Sequence, residues 1–274
     1  MTLADAPRYS PTWLELREPA DSAARATALL DPLRHYLAGV PTLLVRDLGC
    51  GTGSMQRWLA PRLAGEQRWI LQDRDTELLD FAWTNAADVS ANGAPVTVET
   101  QMGDLTQLTA ADLIGSSLVT ASALLDLLTL GEVDRLAAAC VTAAVPALLT
   151  LSVVGRVELT PADPLDAAIS AAFNEHLHHG VDGRNLLGPD AAQVTADAFA
   201  RRGATVRVRH SPWRLGPDHA PLIAEWLHGW VPAAAARRPG LAAHADAYLR
   251  RRLAEASNGE LQVVVHHTDL LALP

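Results

Sequence analysis

Seven residues constrain this chain more than any others: Asp47-Leu48-Gly49-Cys50-Gly51-Thr52-Gly53, at the end of an apolar run and ahead of a helical pattern. Glycines at alternate positions let the backbone turn tightly and let a ligand lie against the main chain. The helix that follows offers unpaired N–H groups and the positive end of its dipole, suited to a carboxylate or phosphate. A dinucleotide site would want glycine at 49, 51 and 54, but position 54 is Ser54. A phosphate-cradling P-loop needs a lysine, and the chain has none.

The residues around this turn alternate between strand and helix patterns, which predicts a parallel sheet covered by helices. Strands are expected at Thr42 to Leu48, Arg68 to Gln72, Val96 to Met102, Ser117 to Ala121 and Ala147 to Val154. Helices are expected at Ser54 to Leu63, Asp75 to Ala87 and Glu132 to Ala144, with a turn at Asn92-Gly93-Ala94-Pro95. Beyond this the rhythm changes. Pro161 to His179 and Asp190 to Arg202 read as helices around a Gly-containing loop, Thr205 to His210 and Leu261 to His267 as strands, and Pro217 to Ala256 as a long helical insertion. A cap helix is expected around Pro19 to Leu37. The expected fold is thus α/β: a Rossmann-like, doubly wound, mostly parallel seven-stranded sheet with helical cap additions. The cap occupies residues 1–40, and residues 41–274 form the main domain with helical insertions at about 155–203 and 217–256.

Length and charge narrow the function classes. A chain of 274 residues can bury a full core. The formal net charge of −9 argues against nucleic acid as a partner, because phosphate contacts need clustered cations. Cys50 and Cys140 are too few for a disulfide framework, and no Cys/His spacing resembles a metal site. Met1 to Ser10 lacks the pattern of a signal peptide, and no apolar run is long enough to span a membrane. These features lead us to expect a cytoplasmic enzyme without a metal.

Two strand ends test the ligand reading of the Gly-rich turn. Asp73 ends the strand after it, where an acidic residue faces the same crevice and can bind both ribose hydroxyls. The alternative, capping the next helix, is served at least as well by Asp75. The strand Val96 to Met102 runs into Gly103-Asp104-Leu105, where Asp104 can accept an adenine amino group and the Leu105 N–H can meet a ring nitrogen. Together these residues resemble the class I S-adenosylmethionine (SAM)-dependent methyltransferases over roughly Thr42 to Val154. The resemblance implies that Gly49, Gly51 and Gly53, with Asp47 before them, line the methionine part of SAM, that Asp73 holds the ribose, and that Asp104 with Leu105 reads the adenine. It adds Ser122, at the end of the fourth strand, to the cofactor set. Ser122-Ala123-Leu124-Leu125-Asp126 departs from the tetrapeptide of nucleic-acid amino-methylating enzymes, and no cysteine stands ready for pyrimidine attack.

The acceptor side is less sharply marked. Methyl transfer requires alignment of the acceptor and, where needed, removal of its proton. Asp126 lies four residues after Ser122 and either faces the crevice or is a helix-start carboxylate favoured by the dipole. In Phe173-Asn174-Glu175-His176-Leu177-His178-His179-Gly180, His176 shares a helix face with Phe173 and is the candidate base; a solvated helix end is the alternative. Arg184 and Asn185 can hold a polar substrate. Arg17 either meets the methionine carboxylate or pairs with Glu18 or Asp21. Trp226 and Trp230, four apart, form either core or an aromatic wall, and Arg201, Arg202, Arg207, Arg209 and Arg214 read as solvated surface. The expected partner is a small-molecule methyl acceptor with an O, N or C nucleophile, and a homodimer is compatible with the sequence. An RNA methyltransferase, or a SAM-binding protein that transfers no methyl group, are the alternatives.

Overall fold

Leu43 and Val45 of β1 (Thr42–Leu48) are buried in a core on one face of a sheet, while Leu48 belongs to a core on the other. A strand apolar on both faces must be covered twice, and this requirement organises the computed structural model, which describes residues 9–179 and 183–274. The sheet runs β3-β2-β1-β4-β5-β8-β6. It comprises β2 (Glu66–Asp73), β3 (Val96–Met102), β4 (Leu118–Ser122), β5 (Ala147–Thr160), β6 (Thr205–His210) and β8 (Gln262–Leu273) beside β1. β1 to β5 are parallel, and β8 is antiparallel to both of its neighbours, as the last strand of the expected topology should be. The expected seven strands are joined by a short eighth, β7 (Trp213–Leu215), which pairs with the first part of β8.

One face carries α2 (Leu30–Tyr36), α3 (Ser54–Leu59) and α4 (Thr76–Thr84), through Leu33, Trp58 and Leu79 among others. The other carries α5 (Leu130–Thr142) and α7 (Ala191–Ala200), through Val133, Leu136 and Phe199. A third core joins α1 (Pro11–Ala24), α6 (Asp166–Leu177), α8 (Ala220–Arg237) and α9 (Ala242–Ser257) to β7 and the first part of β8. Its centre holds Trp230, Tyr248 and a fully buried Arg252, whose guanidinium donates to both Asp166 oxygens, to Glu255 and to the Pro161 carbonyl. This is a lid with its own packing, standing over the carboxyl ends of the parallel strands.

The structure corrects several sequence expectations. The single cap helix at Pro19 to Leu37 is two helices, α1 and α2, separated at Arg25-Ala26. The overlooked start signal was Ser10-Pro11: Ser10 Oγ accepts from the Trp13 N–H at 3.1 Å and Pro11 takes the first helical position. Residues 1–8 of the expected cap, and Gly180 in the loop after α6, lie outside the described residues. α7, expected within the first insertion, packs on the sheet instead. β5 runs on to Thr160, with register shifts against β8 between Leu149 and Ser152 and between Val153 and Val157. β8 does not stop at His267 but continues to Leu273, because the polar Asp269 is satisfied inside the sheet.

Asp269, 1% exposed, accepts from the backbone N–H groups of Leu151 (2.8 Å) and Ala26 (2.7 Å) and from Ser211 Oγ (2.5 Å). One carboxylate thereby joins the bulge of β5, the α1–α2 junction and the turn between β6 and β7. Asp269→Ala leaves two buried N–H groups without an acceptor and should destabilise the fold by about 3–4 kcal/mol, read as a lower urea midpoint at unchanged slope. Asp269→Asn should fall between it and the natural protein.

Candidate functional site

The Gly-rich turn leaves β1 with Gly49, Gly51 and Gly53 all at positive φ (60°, 54° and 84°). The constraint is sharpest at Gly53, where a Cβ would meet Ala82 and the Arg57 guanidinium at 3.2 Å. The turn is held from β2. Asp73 accepts from the Gly51 N–H at 2.9 Å with one oxygen and from the Asp75 N–H at 3.1 Å with the other. Asp75 caps α4 through the Glu77 N–H. Asp73 is therefore a brace between loop and strand end, not the cap of α4.

α1 closes over this turn. Glu18 pairs with Arg57 of α3, and Trp58 Nε1 donates to the Ser22 carbonyl. Arg17 pairs with Asp21 through two hydrogen bonds (3.0 and 3.2 Å) and lies over the Trp213 ring, 5.0 Å from its centroid. Of the two readings of Arg17, the ion pair with Asp21 is the one the structure contains. Trp213 Nε1 donates to the same Asp21 at 2.9 Å.

Beneath the turn lies a residue that sequence reasoning missed. Arg25, 2% exposed, donates from Nη2 to Ser54 Oγ (3.0 Å) and Ser122 Oγ (3.1 Å), while its Nε and Nη1 have no partner. Burial lowers its pKa. Nothing in the local sequence marks it, because its partners come from α3 and β4. Asp47 is likewise buried, with Oδ1 accepting from Thr120 at 2.6 Å and Oδ2 unpartnered. Desolvation pushes its carboxyl up to about 7, against the Thr120 hydrogen bond and the charge of Arg25.

These elements border one cavity of about 1060 Å³ between strand ends and lid. Arg17, Gly49, Gly51, Asp73, Asp104, Leu105, Ser122, Asp126 and His176 all line it; Asp47 and Gly53 stand behind its wall. Asp104 caps a short turn, accepting from the Thr106 N–H (2.8 Å) and Oγ1 (2.7 Å). Asp126 sits in a single 3₁₀ turn, Leu125–Leu127, rather than at the start of an α-helix, and burial raises its carboxyl to about 6. On the lid side, His176 stacks on Phe173 with centroids 6.1 Å apart. It is exposed to the cavity rather than buried as expected, and desolvation, then Arg237 and His179, lower its pKa. His178 faces away, toward Leu186 and Asp190. Arg184 lines the cavity while paired with Glu132. Arg201, Arg202, Arg207, Arg209 and Arg214 do not reach it. His267 was missed: it lines the cavity with 2% exposure and an unpartnered Nδ1, and burial pushes its pKa down to about 3. The break His267-Thr268-Asp269 in an apolar strand was the available signal. Among the described residues no cluster of His, Cys, Asp and Glu could hold a metal, and no helix is long and apolar enough to cross a membrane.

The sheet order and the site at the strand ends can be set beside known structures. A cyclopropane synthase from Mycobacterium tuberculosis is similar along the whole chain, at a TM-score of 0.51 and 12% identity, with 99% of this chain and 100% of that one covered. The chain has the class I methyltransferase fold. A SAM-dependent methyltransferase from Geobacter sulfurreducens, in complex with S-adenosyl-L-homocysteine, matches at a TM-score of 0.46 and 16% identity over 97% of this chain and 99% of that one. Magnesium protoporphyrin IX methyltransferase from Synechocystis PCC 6803, with S-adenosylhomocysteine bound, matches at 0.43 and 18% over 75% and 83%. No family model and no curated protein matches the sequence.

Within this methyltransferase fold, Asp47 makes a measurable prediction. Its pKa is higher in the folded chain than its ordinary 3.8, so the stability it contributes is complete below that value and lost as pH rises through about 7. Asp47→Asn removes this dependence. The stability of the variant relative to the natural protein should rise between about pH 5 and about pH 8, measured by urea denaturation across that range. A pH-independent difference would mean that Asp47 is not protonated on folding.

Proposed function

We propose that this protein transfers a methyl group from SAM to a small-molecule acceptor held under the lid. The observation that carries the reading is the convergence of the β1 turn, Asp73 and Asp104, from three successive strand ends, on one cavity. The residues fit the cofactor. Gly49 and Gly51 present bare main chain, Asp73 offers a carboxylate to vicinal hydroxyls, and Asp104 with Leu105 offers a polar edge to a purine. Ser54 and Ser122, with the incompletely paired Arg25 beneath them, suit an amino-acid carboxylate. Bound SAM would supply a methyl group activated as a sulfonium, whose carbon–sulfur bond would break as the acceptor's nucleophile bonds to the methyl carbon, leaving the neutral sulfide.

The protein's share is positioning, exclusion of water and management of one proton. The volume exceeds the usual upper range for a single small ligand, which supports room for cofactor and acceptor together. Two groups in it suit proton removal. His176 is held neutral by partial desolvation and by neighbouring positive charge, and Asp126 has its carboxyl raised toward neutrality. We assign the base to His176, because it stands on the lid side with the aromatic residues; Asp126 lies on the turn after β4.

Calorimetry on EDTA-treated protein should show SAM and S-adenosylhomocysteine binding without added metal. Asp73→Ala should weaken it by about 1.5–3 kcal/mol, and Asp104→Ala by less. Binding of a nicotinamide dinucleotide but not SAM would refute the cofactor assignment.

A general base of this kind contributes about 10²–10⁴-fold in rate. With an acceptor in hand, His176→Ala should cut turnover at least tenfold at unchanged SAM affinity. His178→Ala should be mild. If His176→Ala lowers only the melting temperature, the role passes to Asp126 or to no protein base.

A further inference from the structure

The lid helix α8 presents a stripe to the cavity at Trp226, Trp230, Ala233 and Arg237, the spacing of one helical face. Trp226 and Trp230 stack with centroids 4.7 Å apart and planes 21° from parallel, and Phe173 meets Trp230 edge-on at 6.5 Å. The stripe begins in an aromatic wall and ends, about 16 Å further along the helix axis, in a guanidinium.

That guanidinium is held in an unusual way. His179 Nδ1 lies 2.8 Å from the Glu175 carbonyl, which can only accept, so Nδ1 carries the ring proton. Nε2 is then a lone pair, and it accepts from Arg237 Nη2 at 3.0 Å. A neutral histidine thus fixes the direction of the arginine without neutralising it. Glu175, which feels the charge of Arg237, is itself held by two hydrogen bonds from Arg238. The other lid-side arginines of the cavity, Arg17, Arg156 and Arg184, are paired with Asp21, Glu158 and Glu132. Among the described residues Arg237 has no hydrogen-bonded carboxylate. Glu225, the carboxylate of α8 that lines the cavity, is twelve residues away, about 18 Å along the helix.

Across the cavity, Asp73, Asp75, Asp104 and Asp126 stand with Arg74 on the strand-end side, and on the lid side Arg237 with neutral His179 stands at the end of α8 away from Glu225. We infer that the acceptor is an elongated, largely aromatic or apolar anion whose negative group docks on Arg237, with His179 as the positioning residue and Trp226 and Trp230 as the wall for its body. The inference deepens the methyl-transfer reading and rests on it for the word acceptor; the anion site itself stands on the lid geometry.

The test uses 6-naphthylhexanoate and its primary amide (naphthoate and naphthamide hereafter), which are long enough to reach from the tryptophan wall to the guanidinium and differ in charge, titrated into the full chain with tryptophan fluorescence or calorimetry as readout. Naphthoate should bind about tenfold more tightly than naphthamide, as expected for one charged hydrogen-bonded contact at a partly exposed site. Arg237→Gln should abolish the difference while leaving naphthamide binding unchanged, and Trp226→Ala should weaken both probes. His179→Phe, which removes the acceptor at Nε2, should reduce the preference for naphthoate. Equal affinities in the natural protein, no measurable binding of either probe at millimolar concentration, or an unchanged preference in Arg237→Gln would overturn the inference. S-adenosylhomocysteine titrated separately keeps the two readings apart. Binding of the cofactor product without discrimination between the probes refutes the anion site alone, and discrimination without binding of the cofactor product refutes the methyl-transfer reading alone.

Discussion

A carboxylate buried in a strand is costly unless every oxygen is satisfied, and Asp269 meets that condition by drawing three distant segments together. Its bond to the Leu151 N–H holds β5 in the bulge where Leu151 adopts a positive φ of 57°, a conformation that a leucine adopts only when its surroundings impose it. The bulged stretch supplies Leu151, Val153 and Val157 to the cavity wall. The bond to the Ala26 N–H fixes the junction from which Arg25 reaches under the glycine turn. Floor and wall of the cavity therefore depend on one side chain that does not itself line it.

The bounds of β1, β3 and β6 match the expected residues, β1 because it is an apolar run buried on both faces, and the largely exposed β3 and β6 because β-branched residues alternate there after Gly-containing turns. The strand ladder was misread where long-range hydrogen bonds override local pattern. β8 looked finished at His267 because Thr268 and Asp269 interrupt its apolar sequence, yet Asp269 is solvated by protein rather than water. The cap helix expected from Pro19 starts instead at Pro11, which takes the first helical position and leaves Pro19 inside α1.

The site divides in the same way. Residues on the loops after β1, β2 and β3 were visible because the order of a doubly wound sheet dictates which strand ends share a crevice. Arg25 was invisible because it meets its partners across 29 and 97 residues, and His267 was marked only by the interruption that it begins in an apolar strand. The readings of Asp73 and Arg17 also changed character. A carboxylate read as a ligand group doubles as a brace for Gly51, and Arg17, for which an ion pair with Glu18 or Asp21 was one of two readings, pairs with Asp21 while lining the cavity.

β8 has a mechanical consequence. Its first part pairs with β7 and the end of β5 under the lid, and its last part lies between β5 and β6 in the main sheet. Tilting the lid as a rigid body would shear the paired ends of β5, β7 and β8, where Val157 to Thr160 and Trp213 to Leu215 flank β8 on both sides. α1 is fastened over the opposite rim by the pair Glu18–Arg57 and by the hydrogen bond from Trp58 Nε1 to the Ser22 carbonyl, which can release one at a time. Stiffness is thus distributed unevenly around the cavity: the root of the lid is rigid, and the compliant edge is the one against the glycine turn.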